Sequence, residues 1–266
     1  MAKLKINIDK KNVKNVVLNI VYPLLALAIV LAVWAIAAKI KHNSFVLPMP
    51  SAVIERFFRL GGEGEFWQSV GWSLLRTLGC FAISFVLALL LASLAGLFNP
   101  LHRVISPIVS FLRAAPTVAV ILILYALMGR DKDALSMAVG FLIAFPIMYS
   151  AFHSAIVGVD KDLLKMAKLY KVRAVDKVLF IYLPSIANCL FDTSKSTLSL
   201  TLKVVVASEI ITNISLGIGG KIQFANSTYE ISYLLAWTLV AIVFSFVLEA
   251  VVAILKKAWE VLRCRG

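Results

Sequence analysis

Charged residues are scarce in this sequence. Asp, Glu, Lys and Arg make up 15% of the 266 residues and hydrophobic residues make up 61%, whereas soluble domains average roughly 25% and 45–50%. Acidic residues are the scarcest, with 14 Asp and Glu against 27 Lys and Arg. A soluble globular fold of this length needs more polar surface than this composition supplies. The sequence therefore predicts an integral membrane protein.

The residue groups on which enzymes and metalloproteins depend are also missing. No stretch has the Gly-x4-Gly-Lys-Ser/Thr spacing that binds nucleotide phosphates, the His-Glu-x-x-His spacing of zinc sites or a nucleophile elbow. The few cysteines and histidines share no ligand-like spacing; they are Cys80, Cys189, Cys264, His42, His102 and His153. We therefore expect no catalysis, metal or cofactor in this chain, so that a partner must supply the energy for any active process.

Long apolar runs define the domain. A hydrocarbon core about 30 Å thick requires about 20 apolar residues per helix. Six segments approach this length: 16–38, 78–98, 134–159 and 231–248, and the less regular 105–128 and 189–211. We predict an all-α integral membrane protein with about six transmembrane helices. A single membrane domain would cover 16–256, between a basic cytosolic N-terminus at 1–15 and a cytosolic tail at 257–266.

The net charge of +13 fits the topology of such a bundle better than a nucleic-acid surface. With a cytosolic N-terminus and six spans, the cytosolic segments hold sixteen Lys and Arg and the external segments hold seven. Membrane proteins commonly concentrate basic residues on the cytosolic side. We expect cytosolic N- and C-termini and no binding of DNA or RNA.

A polar segment at 158–184 interrupts the apolar runs. Asp160 or Asp162 is a suitable helix N-cap, because a carboxylate accepts hydrogen bonds from free backbone N–H groups and favours the positive end of the helix dipole. Apolar side chains then recur at helical spacing: Leu163, Met166, Ala167 and Tyr170. This pattern predicts a short amphipathic helix. Such a helix either packs on the protein's own spans or inserts into a groove on a cytosolic partner.

The fifth span carries polar residues at membrane depth. Asp192, Ser196, Ser199 and Lys203 recur at i, i+4, i+7 and i+11, which predicts that they share one helical face. Glu209 follows in the same span, and Arg113 lies in the third span. Charges in a membrane normally face a bundle interior or a water-filled path. Either these charges form interhelical ion pairs or a lysine snorkels to the interface, or the residues line a translocation pathway; the candidates for the pathway are Arg113, Ser196, Ser199, Lys203 and Glu209.

Three shorter features lie near the span ends. Lys195 is placed to pair with Asp192, three residues before it, and Arg76 fits an anchor at a membrane interface. The segment 45–60 predicts a short interfacial helix that Ser51 caps. The glycines at 217, 219 and 220 predict a tight external turn.

The polar loop resembles the cytosolic signature of permease subunits of binding-protein-dependent ABC importers. That signature begins Glu-Ala-Ala, has Gly four residues after the second Ala and ends Ile-x-Leu-Pro. The sequence matches it at Ala167, Ile181, Leu183 and Pro184, and has Lys165, Met166 and Lys171 in place of Glu, Ala and Gly. Other motifs resemble the nitrate/taurine/sulfonate branch of this family: 47–53 (LPMPSAV), 73–76 (SLLR), 112–116 (LRAAP), 145–147 (FPI) and 202–209 (LKVVVASE). The resemblance covers about residues 40–255.

The resemblance implies a type I ABC importer permease in a bacterial cytoplasmic membrane. Two permease copies, as a homodimer, would form the pathway, and two cytosolic ATPase subunits would bind and hydrolyse ATP with Mg. An external binding protein would deliver a small solute. Residues 160–175 would form the coupling helix in an ATPase groove, and the expected coupling residues are Asp160, Leu163, Lys165, Met166, Ala167, Tyr170, Lys171 and Pro184.

Two departures from the signature carry further expectations. Lys165 in place of Glu predicts an ATPase groove with altered charge. Lys171 in place of Gly predicts that the backbone there either avoids positive φ or tolerates strain.

Two other classes of protein remain alternatives. An ion-gradient-driven secondary transporter would also use buried charges, but such proteins often show internal repeats, and this sequence shows none. An intramembrane enzyme would need a convergent set of catalytic residues, which the sequence does not supply.

Overall fold

The computed structural model of this chain describes residues 10–41, 46–129 and 131–263, and their regular structure is entirely helical. The predicted N-terminal segment 1–15 is described only from Lys10, and His42 and Cys264 lie outside the described residues. In chain order the helices are α1 (Lys10–Lys41), α2 (Pro50–Leu60), α3 (Gly64–Leu97), α4 (Asn99–Ala114), α5 (Thr117–Met128), α6 (Lys132–Val157), α7 (Lys161–Leu169), α8 (Ala174–Lys177), a π-helical turn (Val178–Tyr182), α9 (Leu183–Thr212), α10 (Ile218–Ser227) and α11 (Ile231–Arg263).

Five of these helices are long and apolar enough to cross a membrane, and α4 with α5 makes a sixth, broken span bent by 98°. The prediction of about six spans in an all-α protein is confirmed. The third span, predicted over 105–128, is broken into two helices. Proline lacks an N–H and disfavours helix in the residue before it, and Ala115, which precedes Pro116, is extended (φ −67°, ψ 130°).

The helix that contains the fifth span begins earlier than the predicted span. The helix is continuous from Ala174 to Thr212 over 39 residues, whereas the apolar pattern predicted 189–211. Pro184 has no N–H to donate within it, and the chain widens into the π-helical turn just before this proline. The Ser185 hydroxyl donates to the carbonyl of Ile181 at 2.6 Å. The second part of the polar segment, from Ala174, is therefore continuous with the helix of the fifth span.

The centre of the bundle is formed by α3, α6 and α9. The small side chains of Ala88 and Ala92 on α3 pack against Met148 and Phe152 on α6, and small residues allow membrane helices to approach closely. A second core joins α2, α9 and α11 around the buried Trp237. α1 packs mainly on α2, and its part from Val21 to Lys41 is largely exposed.

The α2 helix confirms the predicted short helix but not its cap. It begins at Pro50, and Met49 occupies the N-cap position without a side-chain hydrogen bond, so Ser51 is already inside the helix. Val53 and Leu60 are fully buried in the core with Trp237, so α2 packs on the bundle as well as presenting an outer surface.

The bundle has two distinct ends, because successive spans run in opposite directions. α2 and α10 lie at one end, together with the start of α6, since Lys132 donates to the carbonyl of Asn213 at 2.9 Å. α7 and α8 lie at the other end, with the start of α9 and the last turns of α11. We call these the α10 end and the α7 end.

Candidate functional site: the coupling segment, the span surface and a buried charge network

Both termini of α7 are closed by local hydrogen bonds. The Asp160 carboxylate accepts from the backbone N–H of Asp162 at 2.8 Å, so Asp160 is the N-cap of the two candidates. At the other terminus the N–H of Val172 donates to the carbonyl of Ala167 at 3.0 Å, and that of Lys171 to Lys168 at 3.1 Å. This is a Schellman motif, and its left-handed residue is Lys171, at φ 52°. Of the two alternatives expected for Lys171, the backbone therefore tolerates the strain of positive φ and does not avoid it.

The apolar side of α7 is largely exposed. Met166 is 55% exposed, Tyr170 is 74% exposed, and Leu163 is exposed as well. Leu169, which the pattern did not single out, is more exposed than any of these. Ala167 is the exception at 4%; its methyl group faces the protein's own interior and is not part of the free surface. Apart from Ala167, the side chains singled out on α7 are therefore not buried against the protein's own spans.

Lysines surround this apolar surface. Lys161, Lys165, Lys168 and Lys171 are all exposed. Lys165 is held by Asp162 through an ion pair of 2.7 Å within the same helix. The surface that α7 offers is therefore an apolar patch with a basic border.

Three of the predicted pathway residues lie on the surface of the spans. Ser196 and Lys203 are exposed on α9. Arg113 is exposed beside the bend between α4 and α5, where its Nη1 donates to the Ser150 hydroxyl at 3.4 Å. Arg113 and Lys203 are thus two cations on surfaces at membrane depth.

The remaining two predicted pathway residues are buried inside the protomer. Ser199 is 2% exposed, and Leu200 takes its place on the exposed face with Ser196 and Lys203. The common face predicted from the spacing is therefore wrong at Ser199. Glu209 is completely buried, so it does not line a surface of the protomer either.

Asp192 also has a different partner from the one predicted. Its carboxylate accepts from Lys256 of α11 at 2.8 and 2.9 Å, not from Lys195. The pair ties the first half of α9 to α11 near the α7 end.

Glu209 belongs to a charge network that the sequence did not reveal. Its carboxylate accepts from Arg76 Nη1 at 2.7 Å, from the Ser73 hydroxyl at 2.8 Å and from the N–H of Gly219 at 2.9 Å. Arg76 is 4% exposed and its Nε also donates to Asp133 at 2.6 Å. Arg76 is therefore a buried linker of α3, α6 and α9, and its interpretation as an interfacial anchor is wrong.

The same network holds the connection between α9 and α10. Arg76 Nη1 donates to the carbonyl of Leu216 at 2.9 Å, and the N–H of Ile218 donates to the Ser73 hydroxyl at 2.8 Å. A Cβ on Gly217 would lie 2.7 Å from the Glu209 carboxylate, and one on Gly219 would lie 2.5 Å from Glu209 Cβ. Gly217 forms the predicted tight turn, while Gly219 already lies in the first turn of α10.

Two histidines that are remote in sequence meet at the α7 end. The rings of His102 and His153 are parallel, with centroids 3.8 Å apart, and His102 Nδ1 lies 3.2 Å from the Tyr149 hydroxyl. These histidines share no ligand-like spacing in the sequence, yet they are in direct contact in the fold. The part of the chain that the structure describes contains no group of three or more His, Cys, Asp or Glu side chains arranged to hold a metal.

A family model described as "binding-protein-dependent transport system inner membrane component" matches residues 84–261, about two thirds of the chain. This match includes the coupling segment, the pathway candidates on the spans and Glu209.

Individual proteins give a consistent result. The putative aliphatic sulfonates transport permease protein SsuC of Escherichia coli is 27% identical over 190 residues, which are 71% of this chain and 72% of that protein. The taurine transport system permease protein TauC of Escherichia coli is 22% identical and covers 84% of this chain and 82% of its own length. A structure described as an inward-facing conformation of the MetNI methionine ABC transporter superposes with a TM-score of 0.63 at 16% identity, covering 74% of this chain and 98% of that one.

Proposed function

This chain belongs to the family of binding-protein-dependent transport system inner membrane components, and on that premise we propose how its two ends work in an ATP-driven importer. As a permease subunit it acts with ATPase subunits and an external binding protein. In our proposal two copies of the chain pair to enclose the pathway. Two ATPase subunits, which bind and hydrolyse ATP with Mg, dock at the α7 ends, and the binding protein delivers a small solute at the α10 ends.

The observation that carries this proposal is the form of the coupling segment. α7 exposes Met166, Leu169 and Tyr170 at the end of the bundle, and apolar side chains at helical spacing are the usual anchors of a helix in a partner's groove. After α7 a short connection at residues 170–173 leads into a helix that is continuous from Ala174 to Thr212. A displacement of α7 by the ATPase subunits therefore passes directly to the start of α9.

The exposed face of α9 supports a pathway between two copies. A lysine that faces lipid at membrane depth costs at least a few kcal/mol, so Lys203 favours a water-filled surface. Arg113, at the bend of the third span, adds a second cation. Together with relatives named for aliphatic sulfonates and taurine, these cations support a small anionic solute. Ser199 and Glu209 are left out of the pathway because both are buried.

The family assignment decides against the secondary-transporter alternative, since a transport system of this family depends on a binding protein. We place the chain in a bacterial cytoplasmic membrane, with the α7 end and both termini in the cytosol. The basic residues of the α7 segment and of the end of α11 support this orientation.

Co-purification tests the proposal. The tagged chain is expressed with the products of its neighbouring genes, purified, placed in nanodiscs and assayed for ATP hydrolysis. We expect a stoichiometric ATPase whose activity rises with the binding protein and its ligand. Met166→Asp places a charge in the apolar patch and should abolish co-purification. Leu262→Asp, at an exposed position of α11 at the same end, is the matched control and should retain the ATPase. Purification of the wild-type chain alone, with transport driven by an ion gradient, would contradict the proposal.

A further inference from the structure

We propose that the ATPase groove that receives α7 has acidic side chains around an apolar floor, and that this charge selects the cognate ATPase. This inference rests on the proposed function, because it concerns the same docking surface. It adds the chemistry of the partner, which the family assignment does not provide.

The charge of the coupling segment is strongly one-sided. Between residues 161 and 177 there are six basic residues and two acidic ones: Lys161, Lys165, Lys168, Lys171, Arg173 and Lys177 against Asp162 and Asp176. Asp160, just before them, is occupied as the N-cap. The basic side chains of α7 border the exposed Met166 and Leu169, so a partner that buries these apolar groups must also meet the lysines.

Most of this charge has no counter-charge among the residues that the structure describes. Among the described residues, Lys165 pairs with Asp162 at 2.7 Å, while Lys161, Lys168 and Lys171 form no ion pair with another described residue. A groove lined with basic or purely apolar side chains would bring these ammonium groups out of water without compensation, which is unfavourable. Carboxylates at its rim would compensate them and would also steer the approach of the subunit.

Lys171 strengthens the inference. It holds a left-handed conformation at φ 52°, which disfavours residues that have a Cβ, although glycine at that position would remove the strain. A cation at the C-terminus of a helix is favourable, but Lys168 in the last turn already supplies one. Strained positions persist where a functional contact requires the side chain, and an acidic partner is such a contact.

The test is a double charge reversal, Lys168→Glu with Lys171→Glu, in the full chain co-expressed with its ATPase. We expect ATPase binding in neutral-lipid nanodiscs to weaken by about tenfold or more at low salt, and this difference to shrink in high salt because ions screen exposed charges. Substituting lysine for acidic residues in the ATPase groove should restore binding. The control, Lys195→Glu with Lys257→Glu, reverses two exposed lysines outside the segment and should leave binding unchanged.

The outcomes separate this inference from the proposed function. If the double reversal binds the ATPase as tightly as the wild type while Met166→Asp does not bind, the acidic rim is wrong and the docking surface stands. If neither the double reversal nor Met166→Asp affects ATPase binding, the acidic rim and the proposed docking surface are both wrong. If the reversal weakens ATPase stimulation only in nanodiscs of anionic lipid, the lysines contact the membrane surface and the acidic groove is again wrong.

Discussion

The two ends of the bundle are built on opposite principles. At the α10 end, Arg76, Glu209 and Asp133 connect three helices through short hydrogen bonds, and Gly219 leaves no space for a side chain. At the α7 end, two apolar grooves of about 440 and 220 Å³ flank the first turns of α9. Phe81 of α3 lines the larger one, and Leu190 of α9 lines both.

This difference indicates which end of the bundle is displaced more easily. This network pairs the buried guanidinium of Arg76 with the buried Glu209 and with the more exposed Asp133. It resists displacement, because separating Arg76 from Glu209 leaves charges in a low-dielectric interior. A helix flanked by grooves meets less resistance, and Val178 and Tyr182 of the π-helical turn before Pro184 line the smaller groove. Motion imposed on α7 is therefore expected to shift the start of α9 while its far end stays fixed.

The largest expected effect comes from breaking the network. Glu209→Ala leaves Asp133 as the remaining carboxylate partner of Arg76, and it removes the acceptor of the Ser73 hydroxyl and of the Gly219 N–H. Leaving a buried donor unsatisfied costs about 1–3 kcal/mol, so we expect a loss of several kcal/mol. Thermal unfolding of the purified protein in detergent measures the loss. The matched variant is Glu65→Ala, which removes the exposed pair with Lys221 at the same end and should cost much less. Equal losses for the two variants would show that the network does not hold the α10 end together.

A smaller effect is expected from crowding the same region. A Cβ at Gly219 would lie 2.5 Å from Glu209 Cβ and also meet the carbonyl of Val206, so Gly219→Ala should destabilise by about 1–3 kcal/mol. Gly71→Ala, in α3, meets no atom within 4 Å and should be neutral or slightly stabilising, because alanine favours helix. The difference in melting temperature between the two alanine variants is the measurement. If Gly219→Ala melts no earlier than Gly71→Ala, the α10 end is less tightly packed than its geometry indicates.

The smallest effect on stability is expected at the α7 end, where the effect on function should be larger. Ala82 lines the 440 Å³ groove and is exposed, so Ala82→Leu fills space without displacing the core. We expect a stability change within about 0.5 kcal/mol, together with slower ATP-driven uptake of the solute. Ala250→Leu adds the same volume at an exposed position of α11 and should leave uptake unchanged. Normal uptake by Ala82→Leu would remove the groove from the coupling motion.

The sequence predicts the spans better than it predicts the relations between them. Apolar length is enough to locate six crossings, because lipid demands it of every segment. Pro116 signals a break in the third span, but only the packing of α4 and α5 on α6 sets its bend of 98°. The start of the fifth-span helix at Ala174 was not predicted, because residues 174–188 form helix without a continuous apolar run.

The charged residues show the same limit. Arg76 and Glu209 each require a partner at membrane depth, and this is a signal that the sequence does contain. It does not say that they are partners of each other, since 133 residues separate them. The prediction for Ser199 is wrong for a different reason. Helical spacing places this residue at the edge of the polar face, and the neighbouring helices determine which edge is covered. The N-cap at Asp160 could be predicted from the sequence because a cap is a local interaction.

The long separation within the buried network also sets an order of assembly. Chains grow at roughly 5–20 residues per second, so Asp133 follows Arg76, 57 residues later, after about 3–11 s. Glu209 follows after 133 residues, or about 7–27 s. During synthesis the guanidinium of α3 therefore first meets the carboxylate of α6, and only later receives the carboxylate of α9. Lateral release of α3 from the insertion machinery before Asp133 emerges would leave an unpaired cation in the lipid, so α3 and α6 are expected to leave that machinery together.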